Sequence, residues 1–267
     1  MIKKWYFIVT REFSPAMNMA LDSVMWEKVK ENCDTAILRF YTWKPSGVSL
    51  GANQKPQNLV NIDFCKRNNI PIVARVTGGS AIFHDREITY SFSACNDREI
   101  FPGPLSSYEK ISEGLKIGLG KIGINVQWRG VSIGKEPSLT NRDCFSLSSR
   151  HDLIFNGRKI IGSAQRKDRI SFLQHGSLLL EIQKDLWKNI FLFEPDFSKI
   201  ISVSEILKQV PDFDTIVNAL KIGFEEFFGC IFEQISFSDN DIEKAKKNQQ
   251  AFVLVQEEQW KNTNGSK

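Results

Sequence analysis

Long apolar runs are missing from this sequence: none approaches the ~18 residues that a membrane-spanning helix needs. Basic residues never gather into a block and the formal net charge is only +4, so the electrostatic footprint of a nucleic-acid binder is absent. Neither glycine-rich phosphate cradle occurs, since there is no G-x-x-x-x-G-K-[ST] and no G-x-G-x-x-G after a strand pattern. The five cysteines, at 33, 65, 95, 144 and 230, are an odd number without C-x-x-C spacing or a histidine at ligand spacing. Neither a zinc site nor a disulfide framework is supported, and the expectation is reduced thiols and no metal. The N-terminus starts basic, but Arg11 ends its short apolar run and no small-residue cleavage site follows. The reading is a cytoplasmic protein with no membrane and no nucleic-acid partner.

With 267 residues, 42% hydrophobic and 25% charged, the chain has the composition of a globular protein with room for one sizeable core. Residues 5–10 read as a strand. Ser14-Pro15 makes an N-cap and first-turn pair, and Met17, Leu21, Val24, Met25 and Trp26 recur at helical spacing to about Lys30. Residues 36–42 and 47–51 read as strands, 61–69 as a short helix, 104–120 as a helix loosened by Gly114 and Gly118, and 124–128 as strand. From Ile88 to Ala94, Thr89, Ser91 and Ser93 alternate with Tyr90 and Phe92, which predicts a half-buried strand. Helical patterns follow Leu180, at 184–193, 203–208, 213–228 and 238–249, so a helical C-terminal part is expected to pack on the sheet.

Two stretches carry the chemistry. Residues 71–76 read as a strand running into Thr77-Gly78-Gly79-Ser80, and 81–83 resume as strand ending at His84-Asp85. Adjacent glycines leave backbone N–H groups open to an anion or a carbonyl. A plain hairpin turn is the competing reading, and the flanking Arg75 and His84 favour a site. The second stretch runs from Cys144 to Leu180. Cys144 follows Asn141, Arg142 and Asp143 and precedes Ser146 and Ser148, a polar setting with a basic neighbour that suits a thiolate, whereas a lone cysteine is otherwise a small buried hydrophobe. A free thiol titrates near ~8.5, so a cation in contact would both create the nucleophile and steady an oxyanion. Lys159 is the candidate cation, set against the ordinary reading of a solvated strand residue. Asn156-Gly157 between apolar runs signals a hairpin. Gly162-Ser163-Ala164 reads as a small-residue loop against which a substrate can lie. Residues 170–173 and 177–180 read as a strand pair or one long strand, with Gln174, His175 and Gly176 as a bulge aimed at a site, or with His175 as a satisfied core histidine. Residues 130–142 lack periodicity and read as a loop long enough to be a lid.

The chain resembles the lipoate and octanoate branch of the biotin and lipoate protein ligase superfamily. The stretches that carry the resemblance are SPAMNMALD, LRFYTWKPSGVSLGANQ, RVTGGSAIFHDREITYSFS, CFSLSSRHDLIFNGRKIIGSAQR and LQHGSLLL, in the family's order. It implies an α+β, class II synthetase-like fold with a mixed or antiparallel central sheet flanked by helices. The catalytic domain would span 1–255, helical from about 181, with a tail at 256–267. Cys144, fifteen residues before Lys159, is similar to the octanoyltransferases of the Bacillus type, which use a cysteine acyl-thioester. By this resemblance Cys144 and Lys159 are the catalytic pair. Arg75, Gly78, Gly79 and His84 form the loop wall of an acyl pocket, and Gly162, Ser163, Ala164, His175 and Gly176 line the same cavity. The implied reaction moves an octanoyl group from acyl carrier protein through Cys144 to a lysine of a lipoyl-domain protein, such as glycine cleavage H protein or a dehydrogenase acyltransferase subunit, with no cofactor. Three alternatives remain: a lipoate or octanoate protein ligase using ATP and Mg through an acyl-adenylate, an amidotransferase moving octanoyl between lipoyl-domain proteins, and an acyl-binding protein without turnover. Ala74 stands where ligases often carry a second arginine, and Ser80 where close relatives often carry a larger or basic residue.

Overall fold

The computed structural model describes residues 2–130 and 152–255. The chain opens with β1 (Lys4–Phe13), α1 (Pro15–Glu31), β2 (Thr35–Trp43) and β3 (Gly47–Leu50), followed by α2 (Ile62–Arg67). Next come β4 (Ile72–Ala74), β5 (Ile82–His84), β6 (Glu87–Cys95), α3 (Pro104–Lys121) and β7 (Gln127–Trp128). Strands β8 (Leu153–Phe155), β9 (Arg158–Lys159), β10 (Ile161–Lys167) and β11 (Ser171–Leu179) precede α4 (Lys184–Ile190), α5 (Val203–Ile206), α6 (Phe213–Phe228), β12 (Glu233–Gln234) and α7 (Asp239–Asn248).

Six strands form the central sheet, in the order β10-β11-β6-β2-β1-β12. β1 lies parallel to both its neighbours and the other pairs are antiparallel, so the sheet is mixed. A parallel pair needs a crossover, and α1 supplies it between β1 and β2. The sequence starts that helix firmly: the Ser14 hydroxyl accepts from the Met17 N–H at 3.2 Å and Pro15 fits the first turn. Two three-stranded sheets, β4-β3-β5 and β7-β8-β9, complete the strands of the described residues. The β8–β9 hairpin turns at Asn156 and Gly157, both at positive φ, as their pairing predicts.

One face of the central sheet is aromatic. Phe40, Tyr90, Phe92 and Phe172 pack against Ile111, Leu115 and Leu119 of α3 and Leu220 and Phe224 of α6. Phe92 lies about 6 Å from the rings of Phe172, Phe224 and Phe228, the kind of site where truncation to alanine costs about 3–5 kcal/mol. Gly114 and Gly118 do the opposite of loosening α3. A Cβ on Gly223 of α6 would stand 2.3 Å from the Gly118 nitrogen and 2.5 Å from the Gly114 oxygen, so these glycines let two helix backbones touch.

The other face is more polar and covered by α1. β6 was expected to be half-buried, yet all of its residues are buried. α1 lies over its hydroxyl-bearing side and is in turn covered by α7 and the 3-10 turn Gln249–Phe252. Four further expectations change. The 162–164 triplet is regular strand in β10, and β11 runs without a bulge, in unbroken register with both neighbours. Its polar residues are satisfied in place, Gln174 donating to the Tyr90 hydroxyl at 2.8 Å and His175 bonding to Asp22 and Thr77. The C-terminal part is helical but also gives β12 to the sheet. Finally, Cys33 and Cys95 form a disulfide. The two lie just past the ends of α1 and at the end of β6, elements that pack side by side, a proximity that spacing in sequence does not reveal.

Candidate functional site

A narrow cleft opens where the polar face of the central sheet meets the β4-β3-β5 sheet. Of the residues singled out from sequence, Arg75, His84, Gly162, Ser163, Ala164, His175 and Gly176 line it. They come from opposite sides, the triplet from edge strand β10 and Arg75 and His84 from the small sheet and its loop. Met19 of α1, Tyr41 and Trp43 of β2, Ser49, Ile82, Thr89 and Ser177 complete the wall and were not anticipated.

Asp22 organises the floor. Its carboxylate meets the Arg39 guanidinium at 2.7 Å, His175 Nδ1 at 3.0 Å and the Tyr41 hydroxyl at 2.9 Å. Arg39 also donates to Thr10 and to the Asn18 backbone and side chain. Burial pushes Asp22 up, but the His175 hydrogen bond, the Arg39 charge and the Tyr41 hydroxyl outweigh it, and the carboxyl lies below its ordinary value. Burial and the Asp22 charge raise the Tyr41 phenol well above its own. An ionised Asp22 accepts, so the hydrogen sits on Nδ1 of His175 and Nε2 faces the Thr77 hydroxyl at 2.7 Å. That bond ties the glycine loop to α1 through the sheet.

A second network forms the opposite wall. Arg75 donates to the carbonyl oxygens of Ser49, Gly78 and Ser80 and to the Ser49 hydroxyl, holding the loop from inside. The Gly78-Gly79 loop is not a hairpin turn, because β3 lies between β4 and β5. Neither glycine lines the cleft; the Gly78 carbonyl is taken by Arg75, and Gly79 has φ 87°, where a side chain is strained. His84 stacks on Trp43 with ring centroids 3.8 Å apart, and its Nε2 meets the Ser49 hydroxyl at 2.8 Å. Nδ1 stands 3.4 Å from Glu87 without hydrogen-bond alignment, so among the described residues it has no hydrogen-bond partner. Burial lowers the His84 pKa, with Glu87 opposing and Arg75 and His175 adding to the fall. The Ser177 hydroxyl, buried in the cleft wall, is likewise without a partner among the described residues.

Lys159 lies apart from the cleft wall, in β9. It is 3% exposed, and its Nζ forms an ion pair with Asp152 at 2.9 Å. Arg129 approaches the same carboxylate at 3.8 Å. Cys144 and the 131–142 stretch of the expected lid lie outside the described residues. The other thiols can be placed. Cys33 and Cys95 are joined, and burial pushes Cys65 and Cys230 up to about 12, where a thiolate is scarce at neutral pH. Among the described residues no group of three or more His, Cys, Asp or Glu is placed to hold a metal ion, and no helix is long and apolar enough to cross a membrane.

Residues 14–225 match the lipoyl protein ligase A/B catalytic domain, and the chain belongs to that family. It is 31% identical over 249 residues to the octanoyltransferase LipM of Exiguobacterium sp., covering 88% of this chain and 90% of that protein. It is 32% identical over 260 residues to the LipM of Clostridioides difficile, covering 92% and 95%. The LipM of Bacillus subtilis is 30% identical over 254 residues, covering 90% and 91%. The fold is shared with a lipoate-protein ligase A solved with ATP (TM-score 0.77, 21% identity, 96% of this chain and 98% of that one). It is shared also with the bipartite lipoate protein ligase of Thermoplasma acidophilum (TM-score 0.74, 21% identity, 95% of each chain).

Proposed function

We propose that this chain is an octanoyltransferase of protein lipoylation, working as one catalytic unit over residues 1–255 through a thioester on Cys144. The observation that carries the reading is the state of the thiols: two are joined and two are raised to about 12, which leaves Cys144 as the cysteine with a nucleophile's setting. Relatives named octanoyltransferase that align along nearly the whole chain support the same reaction class.

In the first step the Cys144 thiolate attacks the octanoyl thioester of an acyl carrier protein. The new C–S bond forms, the donor C–S bond breaks, and the carrier leaves as a thiolate that takes a proton from water. In the second, a neutral lysine amine of a lipoyl domain attacks the Cys144 thioester; a C–N bond forms, the acyl C–S bond breaks, the Cys144 thiolate leaves, and the amine's proton passes to water. No ATP is consumed. Lys159, held by Asp152, supplies positive charge for the thiolate and for the oxyanions of both tetrahedral intermediates. The cleft takes the acyl chain, its apolar part against Met19, Tyr41, Trp43 and Ile82, and its polar wall of Arg75, His84, His175 and the 162–164 strand near the carbonyl end.

Intact-mass analysis after incubation with octanoyl carrier protein, with and without ATP, tests this. The expected result is an octanoyl adduct formed without ATP, absent in Cys144→Ser, and transferred to a lipoyl domain. A requirement for ATP, with the serine variant still active, would establish the ligase chemistry instead. An adduct formed from an octanoylated lipoyl domain but not from carrier protein would establish the amidotransferase.

A further inference from the structure

The cleft has an open side and a closed side. Among its lining residues, Ser163 and Ala164 on edge strand β10 and Trp43 of β2 are half-buried, whereas Met19, Tyr41 and Ile82 are buried. A chain that enters beside β10 has Met19, Tyr41 and Ile82 as the buried apolar part of the wall ahead of it. Behind the cleft wall, Met19, Tyr41 and Val73 form one apolar cluster, and Ala16, Trp43 and Phe252 pack against it. Phe252 ends the 3-10 turn that follows α7, and the residues after it are tied to the small sheet. Val253 bridges to Val73, and the Leu254 N–H donates to the Ile72 carbonyl at 3.0 Å. This C-terminal strap lies beyond residues 14–225, the span of the family match.

Methionine is unbranched and fills irregular gaps. What lies behind Met19 is apolar, so shortening its side chain extends the cleft into space that favours hydrocarbon over water. We infer that Met19, backed by Phe252 of the strap, is the stop that sets the length of acyl chain this cleft accepts. The inference rests on the octanoyl-transfer reading for the ligand's class, a saturated acyl chain. Each methylene buried is worth about 0.8 kcal/mol, a factor of about four. A chain two methylenes longer thus gains about fifteenfold where there is room. It loses affinity where it must overpack a filled wall.

The test measures binding of hexanoate, octanoate, decanoate and dodecanoate by calorimetry, and transfer from the matching acyl carrier proteins. It uses the full chain as wild type, Met19→Ala, Met19→Phe and Phe252→Ala. Preferences are read as ratios between two ligands on one protein, so a partly unfolded variant still reports. Relative to wild type, Met19→Ala should raise the decanoate-to-octanoate ratio by about fifteenfold, the value of two methylenes. Phe252→Ala should move it the same way by less, and Met19→Phe should move it toward hexanoate. A ratio unchanged in both Met19 variants overturns the inference. Absence of transfer by the wild type together with the shifted binding ratios would defeat the octanoyl-transfer reading while leaving the stop in place.

Discussion

Neutralising Asp22 should be among the most damaging single changes outside the aromatic core. Asp22→Asn keeps the size of the side chain but removes the charge that faces Arg39 at 2.7 Å, and both partners are almost wholly buried, at 0% and 1% side-chain exposure. Arg39 keeps its bonds to Thr10 and Asn18 but loses its counter-charge in a dry layer. Breaking such a pair from one side costs about 3–5 kcal/mol. On a chain of this size each kcal/mol moves the midpoint by about 2–4 °C, so the melting temperature should fall by about 6–20 °C. Removing both charges, as in Asp22→Leu with Arg39→Met, should recover much of the loss, because no unpaired charge remains. Urea and thermal unfolding of Asp22→Leu, Arg39→Met and the double variant form the cycle. If Asp22→Asn melts within about 2 °C of wild type, less than one kcal/mol on that scale, the pair is not what holds α1 to the sheet.

Two further outcomes follow from the same interior. The Cys33–Cys95 disulfide closes a separation of 62 residues, for which loop-closure entropy gives up to about 4 kcal/mol. Reduction, or Cys95→Ser, should lower the melting temperature by up to about 8–16 °C while the Cys144 adduct still forms; identical melting with and without reductant, in protein whose mass shows the bond, would refute it. His84 has a folded pKa below its ordinary 6.5, so the unfolded chain takes up the proton first and stability falls as pH drops below 6.5 toward the folded value. Melting curves of His84→Gln across that window should show a shallower acid slope than wild type, and an equal slope would assign it elsewhere.

The periodic elements were legible because local signals decide them. Ser14-Pro15 caps and starts α1, residues 213–228 carry a helical stripe, and Asn156-Gly157 forces a tight hairpin. The cleft was legible only where small or paired residues advertise themselves, as at Gly162–Ala164, Arg75 and His84. Asp22 was missed because its partner His175 is 153 residues away and one acid in a helix reads as an exposed residue, whereas α1 is buried on nearly all sides. Tyr41 and Trp43 were missed because β2 reads only as a run rich in strand formers, with nothing to show which side faces a cavity. The bulge reading of Gln174-His175-Gly176 failed for a related reason. Polar residues interrupt a strand only if they lack partners, and here Tyr90, Asp22 and Thr77 provide them.

The strap also has a temporal meaning. The Leu254 bond to Ile72, and the packing of Phe252 on the Met19, Tyr41 and Val73 cluster, join residues far apart in the sequence. During synthesis at roughly 5–20 residues per second, the strap cannot reach β4 until on the order of ten seconds or more after β4 itself is made. Between the synthesis of β11 and that of the strap, the growing chain has the mouth and the polar wall of the cleft without its back.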